Sequence, residues 1–293
     1  MQSWPDVLRN RLLGCCGRSG AWGYHVDSPG SAEPTAIACL ALASRAEQAE
    51  VVRRAARWLA GLQAADGSIG IAGDVTAPHW PTALALLTWR NAVAESSEFE
   101  SNAAAATRWL LAARGNVVND DSGFAQHDTS LTGWFWVENT HSWVEPTAYA
   151  ILALRAAGQG QHARVREGVR LLLDRALDDG GWNYGNRRVL GNELRPFPAT
   201  SGVALTALAG ETRDVKIDAA IAYLTGALRT IRAPLSLAWG VIGLRAWSAL
   251  PGAADVWLNE AAERVLSEAP NPWYDALLLL AAEGECAISR RVR

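Results

Sequence analysis

Glu145-Pro146-Thr147-Ala148, running on to Leu152 and Leu154, is the stretch whose reading decides the fold. The same start returns as Glu33-Pro34-Thr35-Ala36 before Leu40 and Leu42, and as Pro81-Thr82-Ala83 before Leu87. A looser copy is Pro198-Ala199-Thr200-Ser201, followed by Val203, Leu205 and Leu208. Pro234-Leu235-Ser236-Leu237-Ala238 and Pro272-Trp273-Tyr274-Asp275-Ala276 are more degenerate. Proline in a first helical turn has its φ preset and gives up no needed hydrogen bond, so each copy predicts a helix start. The residues that follow are nearly all Ala, Leu, Val or Ile. Such helices are apolar around most of their circumference and are expected to be buried on nearly every side.

Segments of another character lie between them. Val51 to Leu62, Ala103 to Ala113, Val165 to Leu177, Ile217 to Leu228 and Val256 to Leu266 each carry charge on one face and an apolar stripe on the other, and Asp6 to Cys15 is the first of the set. Arg53, Arg54 and Arg57 beside Val52, Ala56 and Leu59 show the pattern of an amphipathic surface helix. The chain therefore alternates outer and inner helices, predicted at 5–15 with 34–45, 50–63 with 80–91, 101–114 with 146–157, 163–177 with 198–209, 215–229 with 234–248 and 254–268 with 272–283. Stacked helix pairs form an open solenoid or curl shut. Inner helices this apolar are poorly suited to an exposed concave surface, so the expectation is an all-α (α/α)6 toroid formed by residues 1–293 as one domain.

Composition agrees. Apolar residues make up 49% of the 293 and charged residues 19%, which excludes a disordered chain. A formal charge of −3 gives no reason to expect nucleic acid as a partner. The N-terminus has no basic region followed by an apolar core, and no run of about 18 apolar residues is free of charge, so no transmembrane segment is expected and a cytoplasmic protein is the reading. Cys15, Cys16, Cys39 and Cys286 show no Cys-x-x-Cys or Cys/His spacing, and no metal or cofactor is expected. Hydrolase, phosphate-loop and dinucleotide motifs are absent, with no strands expected to seat them.

The links from outer to inner helix are long in the first four pairs, at 16–33, 64–79, 115–145 and 178–197, and short in the last two. All emerge at one end of a hairpin stack. The long loops therefore gather over the inner-helix N-termini, and that face is the expected working surface. The aromatic-rich loop 115–145 carries Asp120, Asp121, His127, Asp128, Trp134, Trp136, Glu138, His141 and Trp143 before Glu145. Indoles there suit an apolar ligand or a positive charge. Trp182 and the arginines Arg187 and Arg195 stand on loop 178–197, where the guanidiniums could receive an anion. The ordinary role of Glu33 and Glu145, each directly before a helix-starting proline, is to accept first-turn N–H groups. Glu145, Asp128 and His127 are the candidates for proton transfer; a paired-carboxylate glycan site is open among Asp120, Asp121, Asp128, Glu138 and Glu145.

Trp58-Leu59, Gln63, Asp66-Gly67-Ser68, the Gly180-Gly181-Trp182 turn and the Glu-Pro-Thr-Ala starts together resemble the α/α-toroid superfamily of terpenoid cyclases and protein prenyltransferases, above all the squalene–hopene cyclase repeat. That repeat runs Gln-x-x-Asp-Gly-x-Trp, and Ile69 stands at its tryptophan position in the second repeat. The resemblance implies an apolar, isoprenoid-like substrate in a central cavity, aromatic loops around cationic intermediates, and Glu145 or Asp128 as acid. The best match to the cyclase acid motif Asp-x-Asp-Asp-Thr-Ala is Trp143-Val144-Glu145-Pro146-Thr147-Ala148, without the flanking aspartates. The prenyltransferase zinc set of Asp, Cys and His has no match. A non-catalytic toroid that holds a ligand or a partner protein on the long-loop face, and a glycan-processing toroid, are the alternatives.

Overall fold

The computed structural model describes residues 3–93, 96–117, 127–189, 191–283 and Ile288. The outer helices are α1 (Trp4–Gly14), α3 (Ala49–Gly61), α5 (Glu100–Ala112), α7 (Ala163–Asp174), α9 (Val215–Ala227) and α11 (Ala254–Ser267). The inner helices are α2 (Ala32–Leu42), α4 (Thr82–Leu87), α6 (Val144–Ala156), α8 (Pro198–Leu208), α10 (Pro234–Ala246) and α12 (Pro272–Ala282). Two details differ from the sequence reading. The predicted helix 80–91 ends in a π-helical turn, Thr88–Ala92, where the Trp89 indole donates to the Ala56 carbonyl at 3.2 Å. Two short antiparallel strands, β1 (Arg188–Val189) and β2 (Asn192–Glu193), stand where no strand was expected.

The burial pattern follows the sequence. In α3, Val52, Ala55, Ala56 and Leu59 are buried at helical spacing while Arg54 and Arg57 face solvent. In α2 every residue from Pro34 to Leu42 is buried, and in α8 every residue from Ala199 to Leu208. The inner helices neighbour one another in chain order, and α12 packs back on α2, so the ring is closed. Outer helices α3 to α11 each wedge between the inner helix before and the one after, and α1 fills the gap beside α12. The tightest seam joins α8 to α10. A Cβ at Gly202 would collide with the Trp239 carbonyl, and one at Gly243 would lie 2.7 Å from the Gly202 carbonyl oxygen, so only glycine lets these backbones touch.

A repeated device ties each long loop to its inner helix. The backbone N–H groups of Trp22, Ile69 and Trp134 donate to the hydroxyls of Thr35, Thr82 and Thr147 at 3.0, 2.8 and 3.0 Å, always across 13 residues. Ile69, fully buried, thus occupies the tryptophan position. In the fourth repeat Trp182 N–H donates to Ser201 at 2.8 Å across 19 residues. The extra six residues match the segment 188–193 that holds β1 and β2. The Trp22, Trp134 and Trp182 indoles donate to carbonyls of Leu12, Leu110 and Leu172 on the outer helices, at 2.7, 2.9 and 2.6 Å. Each buried backbone N–H so satisfied avoids a penalty of about 1–3 kcal/mol.

Candidate functional site

The loops also cap their neighbours. The Ala32 N–H, at the start of α2, donates to the Ile71 carbonyl of the second loop at 2.8 Å; the Val144 N–H, at the start of α6, donates to Tyr184 of the fourth at 3.0 Å. The expectation that Glu33 and Glu145 accept these first-turn donors is thereby corrected: loop carbonyls take that role, and both carboxyls are left for other partners. Glu33 receives a hydrogen bond from the Tyr24 hydroxyl, and Glu145 from Thr200 Oγ1 of α8 at 2.6 Å.

Both carboxyls are half-buried at the second position of their helices. Loss of hydration pushes Glu33 up to about 7, against the Tyr24 hydrogen bond, and the nearby Glu145 charge adds to the effect. Glu145 is also raised by desolvation, with the Thr200 hydroxyl opposing. Beside them lies Tyr149, only 4% exposed, its hydroxyl held far on the protonated side by burial and then by Glu145, Glu33 and Tyr24. That hydroxyl makes no hydrogen bond among the described residues.

Aromatic rings connect these groups. Tyr149 stacks on Trp80 at 6.3 Å between centroids and meets Trp239 at 5.7 Å. Trp136 stands edge-on to Trp80 at 4.7 Å, and Trp273 edge-on to Tyr24 at 5.4 Å. The indole nitrogen of Trp273 is buried with no acceptor among the described residues. The mouth of the ring thus joins two carboxyls, two tyrosines and four indoles drawn from α2, α6, α10, α12 and three loops. His79 Nδ1 lies 2.6 Å from Glu138, which ties the second loop to the third next to Trp80 and Trp136.

Of the residues singled out from sequence, Glu145 and Trp136 belong to this cluster. Trp143 is half-buried and caps α6, its N–H donating to the Trp134 carbonyl at 2.8 Å. Trp134 and Trp182 were expected to touch ligand; at 3% and 0% exposure they have almost no surface to offer and act as pins between loop and outer helix. Asp128 is exposed and accepts from Ser130 N–H and Oγ at 2.9 and 2.5 Å, bonds that hold it below the usual carboxylate range. An acid must hold its proton at working pH, so this geometry disfavours Asp128 as the donor. His127 is half-buried in the same loop, His141 is exposed, Arg187 is paired with Asp178, and Arg195 is exposed. Asp120, Asp121 and Cys286 lie outside the described residues. Gln63 and Asp66 are structural: Gln63 exchanges hydrogen bonds with Asn102 on α5, and Asp66 accepts from Ser68.

Tyr24, Glu33, Trp80, Tyr149, Thr200, Trp239 and Trp273 were not among the chosen site residues. A usable signal existed for Glu33, which occupies the same place in its Glu-Pro-Thr-Ala start as Glu145. A separate cleft of about 840 Å³ opens at the other end of α2 and α4, beside Arg45, Arg53, Arg57 and Asn91. Its arginines are already engaged, Arg57 with Glu98 at 2.5 Å and Arg53 with Glu50 at 3.1 Å. Among the described residues no group of three or more His, Cys, Asp or Glu side chains is arranged to hold a metal, and no helix is long and apolar enough to cross a membrane.

No protein-family model matches the chain, and no curated protein does. Solved structures do. An α-amylase from Clostridium perfringens superposes with a TM-score of 0.69 at 11% identity, covering 97% of this chain and 98% of that one. A type II terpene cyclase, MstE from Scytonema, in complex with geranylgeranyl dihydroxybenzoate, gives 0.61 at 14% identity over 92% of this chain and 79% of that one. A glycosidase gives 0.63 at 11% identity over 96% and 95%. At these identities the likeness is one of fold, the α/α toroid.

Proposed function

We propose that this toroid binds an apolar, isoprenoid-type substrate in the aromatic mouth and transfers a proton to it, with Glu33 as the acid. The observation that carries the reading is the setting of the Glu33 carboxyl, which accepts from the Tyr24 hydroxyl beside the Trp273 indole, where lost hydration raises it to about 7. A carboxylic acid still protonated near neutrality is a competent donor, and surrounding π-faces lower the energy of the cation that protonation creates. The Tyr149 hydroxyl and the Trp273 N–H, without partners among the described residues, are available to a bound molecule. The named complex of the Scytonema cyclase, a geranylgeranyl aromatic acid, supports the substrate class by analogy of fold.

Glycoside hydrolysis is the second reading. It is favoured by the pairing of Glu33 with Glu145, since such chemistry needs one protonated and one ionised carboxyl. One experiment separates the two. The protein is incubated in D2O with linear isoprenoids of graded length and, in parallel, with oligosaccharides, and products are read by mass spectrometry. Carbon-bound deuterium in an isoprenoid product, lost in Glu33→Gln, is the expected result. Oligosaccharide cleavage without deuterated isoprenoid moves the assignment to glycans; neither product overturns both.

A further inference from the structure

Among the described residues, the carboxyls most enclosed by the fold are paired with arginine, and Glu33 and Glu145 depart from that rule. Asp275 accepts from Arg11 at 2.6 and 2.9 Å, Glu283 from Arg9 at 2.6 Å, and Glu167 from Arg164 at 2.8 Å. Buried carboxylates are ordinarily matched in this way, because an unpaired one costs several kcal/mol. Glu33 and Glu145 have no such partner: the polar contacts of their side chains among the described residues are the Tyr24 and Thr200 hydroxyls. No arginine, lysine or histidine among the described residues forms an ion pair with either. Around them stand Trp80, Tyr149, Trp239 and Trp273, whose ring faces also attract positive charge. Tyr149 adds a second sign of a ligand: the residue is more than nine-tenths buried, and its hydroxyl, close to both carboxyls and Tyr24, makes no hydrogen bond among the described residues.

We propose that the natural ligand of this mouth carries a protonated amine on an apolar body, the ammonium group lying between the Glu145 carboxylate and the Tyr149 hydroxyl oxygen. The ligand supplies the cation that the protein omits. Its N–H groups donate to Glu145 and Tyr149, its apolar body lies along the indoles, and Glu33 with Tyr24 stays free for proton transfer. The inference rests on the reading of this mouth as the ligand site, though not on any proton being transferred.

The test compares decylammonium with its neutral isostere decanol, by calorimetry and by the intrinsic fluorescence of the mouth tryptophans. A preference of about tenfold or more for the ammonium ion is expected, as for a desolvated ion pair with cation–π support. Glu145→Gln, which keeps shape and removes charge, abolishes most of that preference, and Tyr149→Phe, which removes an acceptor of the ammonium group, lowers it. Equal affinity for the two probes in the wild-type protein overturns the proposal. So does binding of neither, or a preference that survives Glu145→Gln. Deuterium incorporation into a neutral isoprenoid by a protein that shows no ammonium preference would leave the proton-transfer reading standing and remove this one. The reverse pattern would do the opposite.

Discussion

Arg11 and Asp275 meet face to face where the first outer helix lies against the last inner helix, Nε and Nη2 donating to the two carboxylate oxygens at 2.9 and 2.6 Å. Asp275 is fully buried, and Arg11 also donates to the Val265 carbonyl at 3.0 Å, so one guanidinium binds α1 to α11 and α12 at once. Arg9 repeats the clasp on Glu283 at 2.6 Å. The first and last helices are joined there. Desolvation raises the Asp275 carboxyl even against Arg11, so the pair fixes which surfaces meet more than it adds net stability. Removing one partner is another matter. Arg11→Met strands a buried acid and is expected to cost about 3–5 kcal/mol in urea unfolding, while the double change Arg11→Met with Asp275→Leu recovers most of the loss.

Glu33 makes stability depend on pH with a definite sign. Its folded value of about 7 lies above the ordinary 4.5, so the folded state favours the protonated form. The resulting stabilisation is complete below about pH 4.5 and disappears as the pH rises through 7. Glu33→Gln cannot ionise. It should therefore melt higher than the wild type at pH 8, by roughly 1–3 kcal/mol, with the gain shrinking towards nothing at pH 5. Equal pH profiles for the two proteins would show that the carboxyl is better hydrated than its surroundings imply.

The threonine of each Pro-Thr-Ala start is predicted to matter more for folding than for chemistry. Thr147→Val keeps shape and buries the Trp134 N–H without its 3.0 Å acceptor, for an expected loss of about 1–3 kcal/mol by thermal or urea unfolding. Ligand affinity per folded molecule should stay near the wild-type level, since Thr147 is fully buried.

Deleting 188–193 returns the fourth loop to the 13-residue spacing of the other three. The Trp182–Ser201 and Trp182–Leu172 bonds lie outside that segment. Circular dichroism of the shortened protein should match the full chain, with a melting point within a few degrees of it. A collapse of the helical signal would mean that β1 and β2 hold the fourth hairpin in place.

Gly202 and Gly243 allow the α8–α10 backbones to touch, and Gly202→Val should be among the most destabilising single changes in the chain. Expected losses exceed about 3 kcal/mol, because the clash falls on a carbonyl of the facing helix and no side chain can move aside.

What the sequence determined by itself is the set of elements and their alternation. Proline at a helix start, helical periodicity in α3 and uniform apolarity in α2 and α8 act through neighbouring residues, so they are legible without the fold. The long loops were legible from the spacing between helices for the same reason. Tertiary structure decided the rest. Whether Glu33 caps its helix depends on the Ile71 carbonyl, which arrives from the next hairpin and takes the Ala32 N–H. Trp182 and Trp239 look alike in sequence, yet one is sealed between loop and outer helix and the other stands against Tyr149 in the mouth. Glu33, Glu145, Tyr149 and Trp273 share a site because α12 closes on α2, a contact between distant parts of the chain that no local periodicity encodes. Their desolvation arises when that ring excludes water.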